Sequence, residues 1–223
     1  MSRSPRPSRI RWMNAVALAS LALCCLARAQ GVALTVSVKQ RDDRPLIGAV
    51  VSLEPQSMAL PRAQPVKAVM DQVNLAFVPD VLVIPLHSSV QFPNSDAISH
   101  QVYSFSDARR FQLPLYRGKP YPPVVFDRPG VVTLGCNIHD NMLAYIFVTD
   151  APFFGRTGSD GAWTAPSLPA GTYQLRVWHP ALNEPKELQR IVEAQSGRSS
   201  IELRLTRALR PAPLTQRPHS WEY

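Results

Sequence analysis

Proline and glycine interrupt this chain so often that long regular helices have little room to form. The 223 residues include 22 prolines and 10 glycines, and no long stretch between them combines helical periodicity with capping residues. Residues 34–39 and 173–178 instead alternate apolar and polar side chains, which is typical of half-buried strands. Residues 81–84 and 131–134 are mostly apolar and predict strands buried on both faces. Many short strands between turns predict an all-β protein made of sandwiches or barrels.

The N-terminus has the three parts of a secretory signal peptide. Four arginines lie within the first eleven residues, an apolar stretch covers residues 15–26, and Ala27 and Ala29 frame a small-residue cleavage site. The apolar stretch is too short and wrongly flanked for a membrane span. We expect residues 1–29 to be removed during export to the periplasm, which leaves no membrane span in the mature chain. An uncleaved N-terminal anchor is the alternative.

Removal of that segment changes both the charge and the cysteine count. Five arginines and no acidic residue lie within residues 1–29, so the formal net charge falls from +8 to +3. This balance argues against a nucleic-acid partner. Cys24 and Cys25 leave as well, so Cys136 is the only thiol of the mature sequence. An odd cysteine in an oxidising compartment indicates an intermolecular disulfide, a reactive thiol or a ligand, and a buried structural cysteine is the remaining interpretation.

The neighbours of Cys136 favour the ligand role. His139 and Met142 follow it at offsets of three and six residues, and His100 lies upstream behind the polar loop 94–96. Two His, one Cys and a weak axial Met form the ligand set that copper uses in blue-copper electron-transfer sites. One tight loop after a strand can bring the Cys, the second His and the Met to one ion. The first His must then arrive from a different strand.

Residues 66–150 resemble a cupredoxin. The strands predicted within residues 70–94 are similar to the first half of that family, in which a strand leads into an Asn-containing loop that presents the first His. Residues 126–136 resemble the strand that leads to the Cys, and the Cys-x-x-His-x-x-Met spacing is close to the short ligand loop of the amicyanins. Gln101 stands where many cupredoxins have an Asn whose side chain ties the two ligand loops together. The resemblance implies a Greek-key sandwich that binds one mononuclear type 1 copper ion.

The resemblance also implies the ligands and the function. The implied metal ligands are His100, Cys136, His139 and Met142. We predict a periplasmic electron carrier that exchanges single electrons with redox partner proteins, with His139 as the electron exit. A periplasmic copper carrier without a redox role is one alternative. We expect no enzymatic activity and assign no catalytic residue, because the sequence has no Ser-His-Asp set, Gly-rich phosphate loop or H-E-x-x-H motif.

The segments on either side resemble a second family. Residues 33–55 and 153–206 are similar to the two halves of a carboxypeptidase-regulatory-like sandwich, a smaller transthyretin-like or Ig-like fold. Neither half can bury a sheet face alone, so we predict one discontinuous domain interrupted by the copper domain. The alternative is an N-terminal hairpin followed by an independent C-terminal domain.

Three further points concern the C-terminal tail, an alternative function and a resemblance of the whole chain. Residues 207–223 are rich in proline and basic residues and predict a disordered tail. If the flanking sandwich carries the function, the protein is a module that binds carbohydrate or protein. The whole chain resembles proteins linked to methylamine utilisation, a link of genomic neighbourhood more than of chemistry.

Overall fold

The structure is a computed structural model in which the regular secondary structure of the described residues is β. The described residues are 31–118, 120–182, 188–195 and 198–210. The all-β prediction is confirmed. The predicted signal peptide 1–29 and most of the predicted tail, residues 211–223, lie outside the described residues. Among the residues that are described, no helix is both long and apolar enough to cross a membrane.

Seventeen strands lie in the described part of the chain. The first nine are β1 (Ala33–Lys39), β2 (Val50–Pro55), β3 (Lys67–Val69), β4 (Asp71–Val73), β5 (Ala76–Val78), β6 (Val81–Pro85), β7 (Ser89–Gln91), β8 (His100–Ser106) and β9 (Arg109–Tyr116). The other eight are β10 (Val124–Val125), β11 (Gly130–Gly135), β12 (Leu143–Thr149), β13 (Phe153–Arg156), β14 (Ala162–Thr164), β15 (Gly171–Trp178), β16 (Gln189–Ala194) and β17 (Arg198–Arg204).

Strands from the two ends of the chain form two sheets, ordered β14-β1-β17 and β13-β2-β15-β16, which we call the flank sheets. Strand β1 pairs in parallel with β17 over seven residues, and β2 pairs antiparallel with β15 over six. Alternation in β1 turns every second side chain into a shared apolar core. Core members from both segments include Leu34, Val36, Val38, Leu53, Tyr173, Leu175, Val177 and Leu203. The N-terminal strands therefore pair with strands from residue 153 onward, while the division into domains stays a prediction.

The middle of the chain forms a five-stranded sheet, β6-β12-β11-β8-β9, and a three-stranded sheet, β10-β7-β3, which we call the ligand sheets. A two-stranded hairpin, β4-β5, lies beside them. Their core is aromatic and aliphatic, with Phe92, Phe126, Leu134 and Ile146 fully buried. The prediction that residues 131–134 are buried on both faces is wrong. In β11 only Val132 and Leu134 reach the core and Thr133 is exposed, because this strand belongs to a sheet with one solvated face.

Arg156 and Trp178 are among the described residues that join the flank sheets to the ligand sheets. Arg156 of β13 donates hydrogen bonds to the carbonyl oxygens of Gly48 (3.3 Å) and Val81 (2.9 Å). The ring of Trp178 lies 5.5 Å from that of Tyr145 and 5.6 Å from that of Phe147 on β12. These contacts lie on β6 and β12 at one edge of the five-stranded sheet, whereas β8 and β9 lie at its other edge.

Candidate metal centre

Strand boundaries gather the four predicted ligands at one end of the five-stranded sheet. His100 is the first residue of β8, Cys136 directly follows β11, and Met142 directly precedes β12. Strands β8 and β11 are antiparallel neighbours, so the start of one meets the end of the other. The β11–β12 connection is a tight loop in which the Met142 amide donates to the carbonyl oxygen of His139 over 2.9 Å.

The two histidines and the cysteine face one another at close range. His100 Nδ1 lies 3.1 Å from His139 Nδ1, and His139 Nδ1 lies 3.7 Å from Cys136 Sγ. One ligand atom from each of the three residues lies within 4.8 Å of the others. His100 is fully buried and Cys136 is 3% exposed, whereas His139 is half-buried. The group is thus closed to solvent except along one histidine edge.

These residues fit a single soft metal ion. Metal–nitrogen bonds of about 2.0–2.1 Å and metal–sulfur bonds of about 2.3 Å, as at zinc, place two atoms bound to one ion roughly 3–4 Å apart. The separations of 3.1 and 3.7 Å lie in that range. A thiolate with two imidazoles is a donor set that copper favours. Met142 is buried at the end of the same loop and belongs to the same apolar core as Cys136. The assignment of all four as ligands stays a prediction.

A main-chain hydrogen bond links the two ligand loops at Gln101. The backbone amide of Gln101 lies 3.5 Å from Cys136 Sγ and donates to it. This bond connects the residue after His100 with the cysteine of the other loop. This hydrogen bond helps to hold the sulfur in place.

Burial favours the neutral form of His139, the half-buried histidine of the group. The pKa of His139 lies below its ordinary value, chiefly because burial disfavours the charged ring and also because His100 stands nearby, while Asp96 acts in the opposite direction. A lowered pKa keeps the imidazole neutral at neutral pH. The ring then has a lone pair to offer to a metal.

Asp96 is a functional candidate that the ligand pattern did not reveal. Its Oδ2 lies 2.7 Å from His100 Nε2, and its two carboxylate oxygens accept hydrogen bonds from the backbone amides of Asn74 (2.5 Å) and Leu75 (3.0 Å). Burial pushes the pKa of Asp96 up, but these bonds outweigh it and hold the pKa below its ordinary value. The one signal in the sequence was an acidic residue four positions before a candidate ligand.

A buried polar network lies behind the His100 loop. The Tyr116 hydroxyl donates to the carbonyl oxygen of Phe92 and accepts from Gln72 Nε2, both over 2.5 Å. Gln72 Nε2 also donates to the carbonyl oxygen of Pro93 over 2.9 Å. Burial raises the pKa of Tyr116 to about 12, so the phenol stays protonated and keeps its donor hydrogen. The network fixes the start of the loop that carries His100.

Comparison with known proteins gives partial similarities to copper proteins. No protein-family model matches the chain, and no curated protein matches it. The chain is similar to a Cu-containing nitrite reductase from Thermus scotoductus SA-01, with 25% identity and a TM-score of 0.36 over 43% of this chain and 25% of that one. It is similar to a purple cupredoxin from Nitrosopumilus maritimus, with 22% identity and a TM-score of 0.32 over 36% of this chain and 96% of that one. An oxidized amicyanin mutant matches with 17% identity and a TM-score of 0.34, over 36% of this chain and 80% of that one.

The sequence-based prediction excluded enzymatic activity, and that exclusion is wrong. One of the similar structures, the nitrite reductase, is an enzyme. The prediction depended on the absence of motifs that serve hydrolysis, phosphate binding and zinc proteolysis. Copper proteins perform redox chemistry through the metal and need none of those motifs.

Proposed function

We propose that this protein is a periplasmic type 1 copper protein that carries single electrons between redox partners. One observation carries the proposal: a buried thiol and two imidazoles lie with their ligand atoms within 4.8 Å of one another. The proposed equatorial ligands are Cys136, His100 and His139. Met142, at the end of the same loop, is the proposed axial ligand. Export to the periplasm is part of the proposal and is supported by the sequence of residues 1–29.

The bound copper would supply one-electron redox chemistry, and the chain's own residues would control it. Strands β8, β11 and β12 hold three of the four side chains at or next to a strand end, so the ligand atoms have little freedom to move. The Gln101 amide holds Cys136 Sγ from the other loop. A rigid site that excludes water favours fast electron transfer because little rearrangement accompanies a change of charge.

The surface around His139 suits contact with a redox partner protein. His139 is half-buried, and Ile98 and Ile138 are 45% and 53% exposed on the two loops that carry the histidines. Exposed apolar side chains around a buried site are typical of protein contact surfaces. An electron would leave through the exposed edge of the His139 ring.

The visible spectrum of the copper-loaded mature protein tests the proposal. We expect a strong absorption band in the red from Cys136-to-copper charge transfer, and loss of this band in Cys136→Ser, because an alcohol oxygen overlaps far less with copper than a thiolate. Met142→Leu should keep the colour and raise the reduction potential, since a lost axial donor disfavours Cu(II) more than Cu(I). Stoichiometric copper binding by a protein that stays colourless when oxidised would contradict electron transfer and favour a copper carrier.

A further inference from the structure

We propose that Asp96 is a positioning residue that fixes the tautomer and orientation of His100, and that the β4–β5 hairpin holds Asp96 in place for this role. The inference rests on the proposed copper function, which it deepens.

The tip of the β4–β5 hairpin is shaped to bind a carboxylate. The hairpin has a two-residue turn, and Asn74 and Leu75 adopt φ values of 52° and 58°. Positive φ at both positions defines the type I′ turn, in which Asn is common and a branched side chain such as Leu75 is not. In this conformation the backbone amides of both residues donate to the Asp96 carboxylate. The hairpin thus holds both oxygens of the carboxylate, including the one that contacts His100.

Both ring nitrogens of His100 are engaged. Nε2 lies 2.7 Å from Asp96 Oδ2 and Nδ1 lies 3.1 Å from His139 Nδ1. An ionised carboxylate can only accept a hydrogen bond, so Nε2 of His100 carries the hydrogen of this contact. In the neutral ring Nδ1 then presents its lone pair toward His139 and the thiol. Asp96 therefore selects the tautomer that can bind metal through Nδ1.

The loop that carries Asp96 is fastened independently of His100. Asp71 of β4 accepts hydrogen bonds from the amide (3.2 Å) and hydroxyl (2.7 Å) of Ser95. The Ser95 amide also donates to the carbonyl oxygen of Gln72, and Asn94 Nδ2 donates to the carbonyl oxygens of Ile98 and Tyr116. The hairpin thus sets the register of residues 94–96, and the carboxylate of Asp96 arrives at His100 already oriented.

A carboxylate in this position affects the two copper oxidation states unequally. Partners that accept the second N–H of a ligating histidine raise the basicity of the ring, and their loss typically costs about 10–100-fold in metal affinity. The negative charge of Asp96 favours the more positive ion. Asp96 should therefore stabilise Cu(II) more than Cu(I) and lower the reduction potential.

The test compares Asp96→Asn with Asp140→Asn in the copper-loaded mature protein. Asp140 is exposed and directly follows His139, so its substitution removes one carboxylate beside the site without touching His100. For Asp96→Asn we expect Cu(II) affinity to fall by about tenfold more than Cu(I) affinity, which corresponds to a reduction potential higher by about 59 mV. Asp140→Asn should change the affinity ratio less than twofold, because water screens an exposed charge.

Nitrogen-15 NMR of the metal-free wild-type protein tests the tautomer without any variant. We expect His100 as the Nε2–H tautomer, with slow exchange of that hydrogen. An Nδ1–H tautomer, or an Asp96→Asn protein with the potential of the wild type, would overturn the inference. A wild type without a red band would refute the proposed function instead, so the two failures are distinguishable.

Discussion

The flank sheets and the ligand sheets are both two-layered β assemblies, yet their interiors differ in polarity. Among the described residues, the flank sheets and their loops bury two polar side chains, Ser52 and Thr157. The ligand sheets and their loops bury seven, namely Gln72, Ser88, Asn94, His100, Gln101, Ser104 and Thr149. Burying a polar group costs free energy unless it is hydrogen-bonded. The comparison indicates that the flank core is built for stability and the ligand core for holding a polar site.

The two regions also satisfy their buried polar groups to different degrees. In the flank sheets, the Thr157 hydroxyl donates to the carbonyl oxygen of Leu46 over 2.6 Å and accepts from the Ala49 amide over 2.9 Å. In the ligand sheets, Oε1 of Gln72 is buried and has no hydrogen-bond partner among the described residues. A buried polar atom without a partner costs about 1–3 kcal/mol. Gln72 Oε1 is therefore a local cost in stability within the ligand sheets that has no counterpart at Thr157 in the flank sheets.

The largest expected effect on stability comes from the flank core. Leu53 of β2 is fully buried between the flank sheets, so Leu53→Ala should lower the free energy of unfolding by about 2–5 kcal/mol. The red band of the fraction that remains folded should be unchanged. Urea unfolding followed by circular dichroism measures the loss.

Ile191→Ala is the matched control for this prediction. Ile191 lies on β16 of the same sheet and is 58% exposed, so its truncation should change stability by less than about 0.5 kcal/mol. Equal losses in the two variants would contradict the assignment of the stabilising core to the flank sheets.

A smaller loss should follow from breaking the polar network of the ligand sheets. Tyr116→Phe removes a hydroxyl that donates to the carbonyl oxygen of Phe92 and accepts from Gln72. We expect the free energy of unfolding to fall by about 1–3 kcal/mol, because two buried groups lose a partner. Tyr121→Phe is the control, since the Tyr121 ring packs edge-on against Tyr116 and lies closer to solvent. A Tyr116→Phe protein as stable as the control would show that the network does not hold the loop.

The chemistry of the candidate site follows from local sequence, because metal ligands are few residue types at recognisable spacings. The types and offsets of Cys136 and His139 in one loop, with His100 upstream, predicted three residues that the structure brings together, while the assignment of all four ligands, Met142 included, stays a prediction. Alternating apolar residues in β1 and β15 were likewise enough to predict strands. The strands and the Cys136 loop were predicted from residues close in sequence, whereas His100 was added from its residue type and its polar loop.

The supporting contacts could not be predicted because they depend on distant backbone geometry. The role of Asp96 depends on the turn at Asn74 and Leu75, about twenty residues away, whose amides meet the carboxylate only after folding. The misjudged burial of β11 has a similar cause. An apolar run does not reveal whether a strand has one or two covered faces, since its neighbouring sheet decides that.

The smallest expected loss of stability comes from a substitution at Gly135 in the ligand sheets, and Gly155 in the flank sheets is its comparison. A Cβ atom on Gly135, beside Cys136, would lie 2.8 Å from the ring of Tyr103, and one on Gly155 would lie 1.9 Å from Nε1 of Trp163. The Tyr103 contact is with the far end of a half-buried ring that can swing outward, so Gly135→Ala should cost about 1 kcal/mol. Gly155→Ala should cost more, because the approach is closer.

The two glycine variants should differ most in their spectra. Only Gly135→Ala adds an atom directly beside Cys136, so only this variant should shift the red band of the copper-loaded protein. In a Tyr103→Ala background the cost of Gly135→Ala should largely disappear, and a double-mutant cycle of urea unfolding measures this coupling. If Gly135→Ala costs the same with and without the Tyr103 ring, the close approach of that ring is not the reason for a glycine beside Cys136.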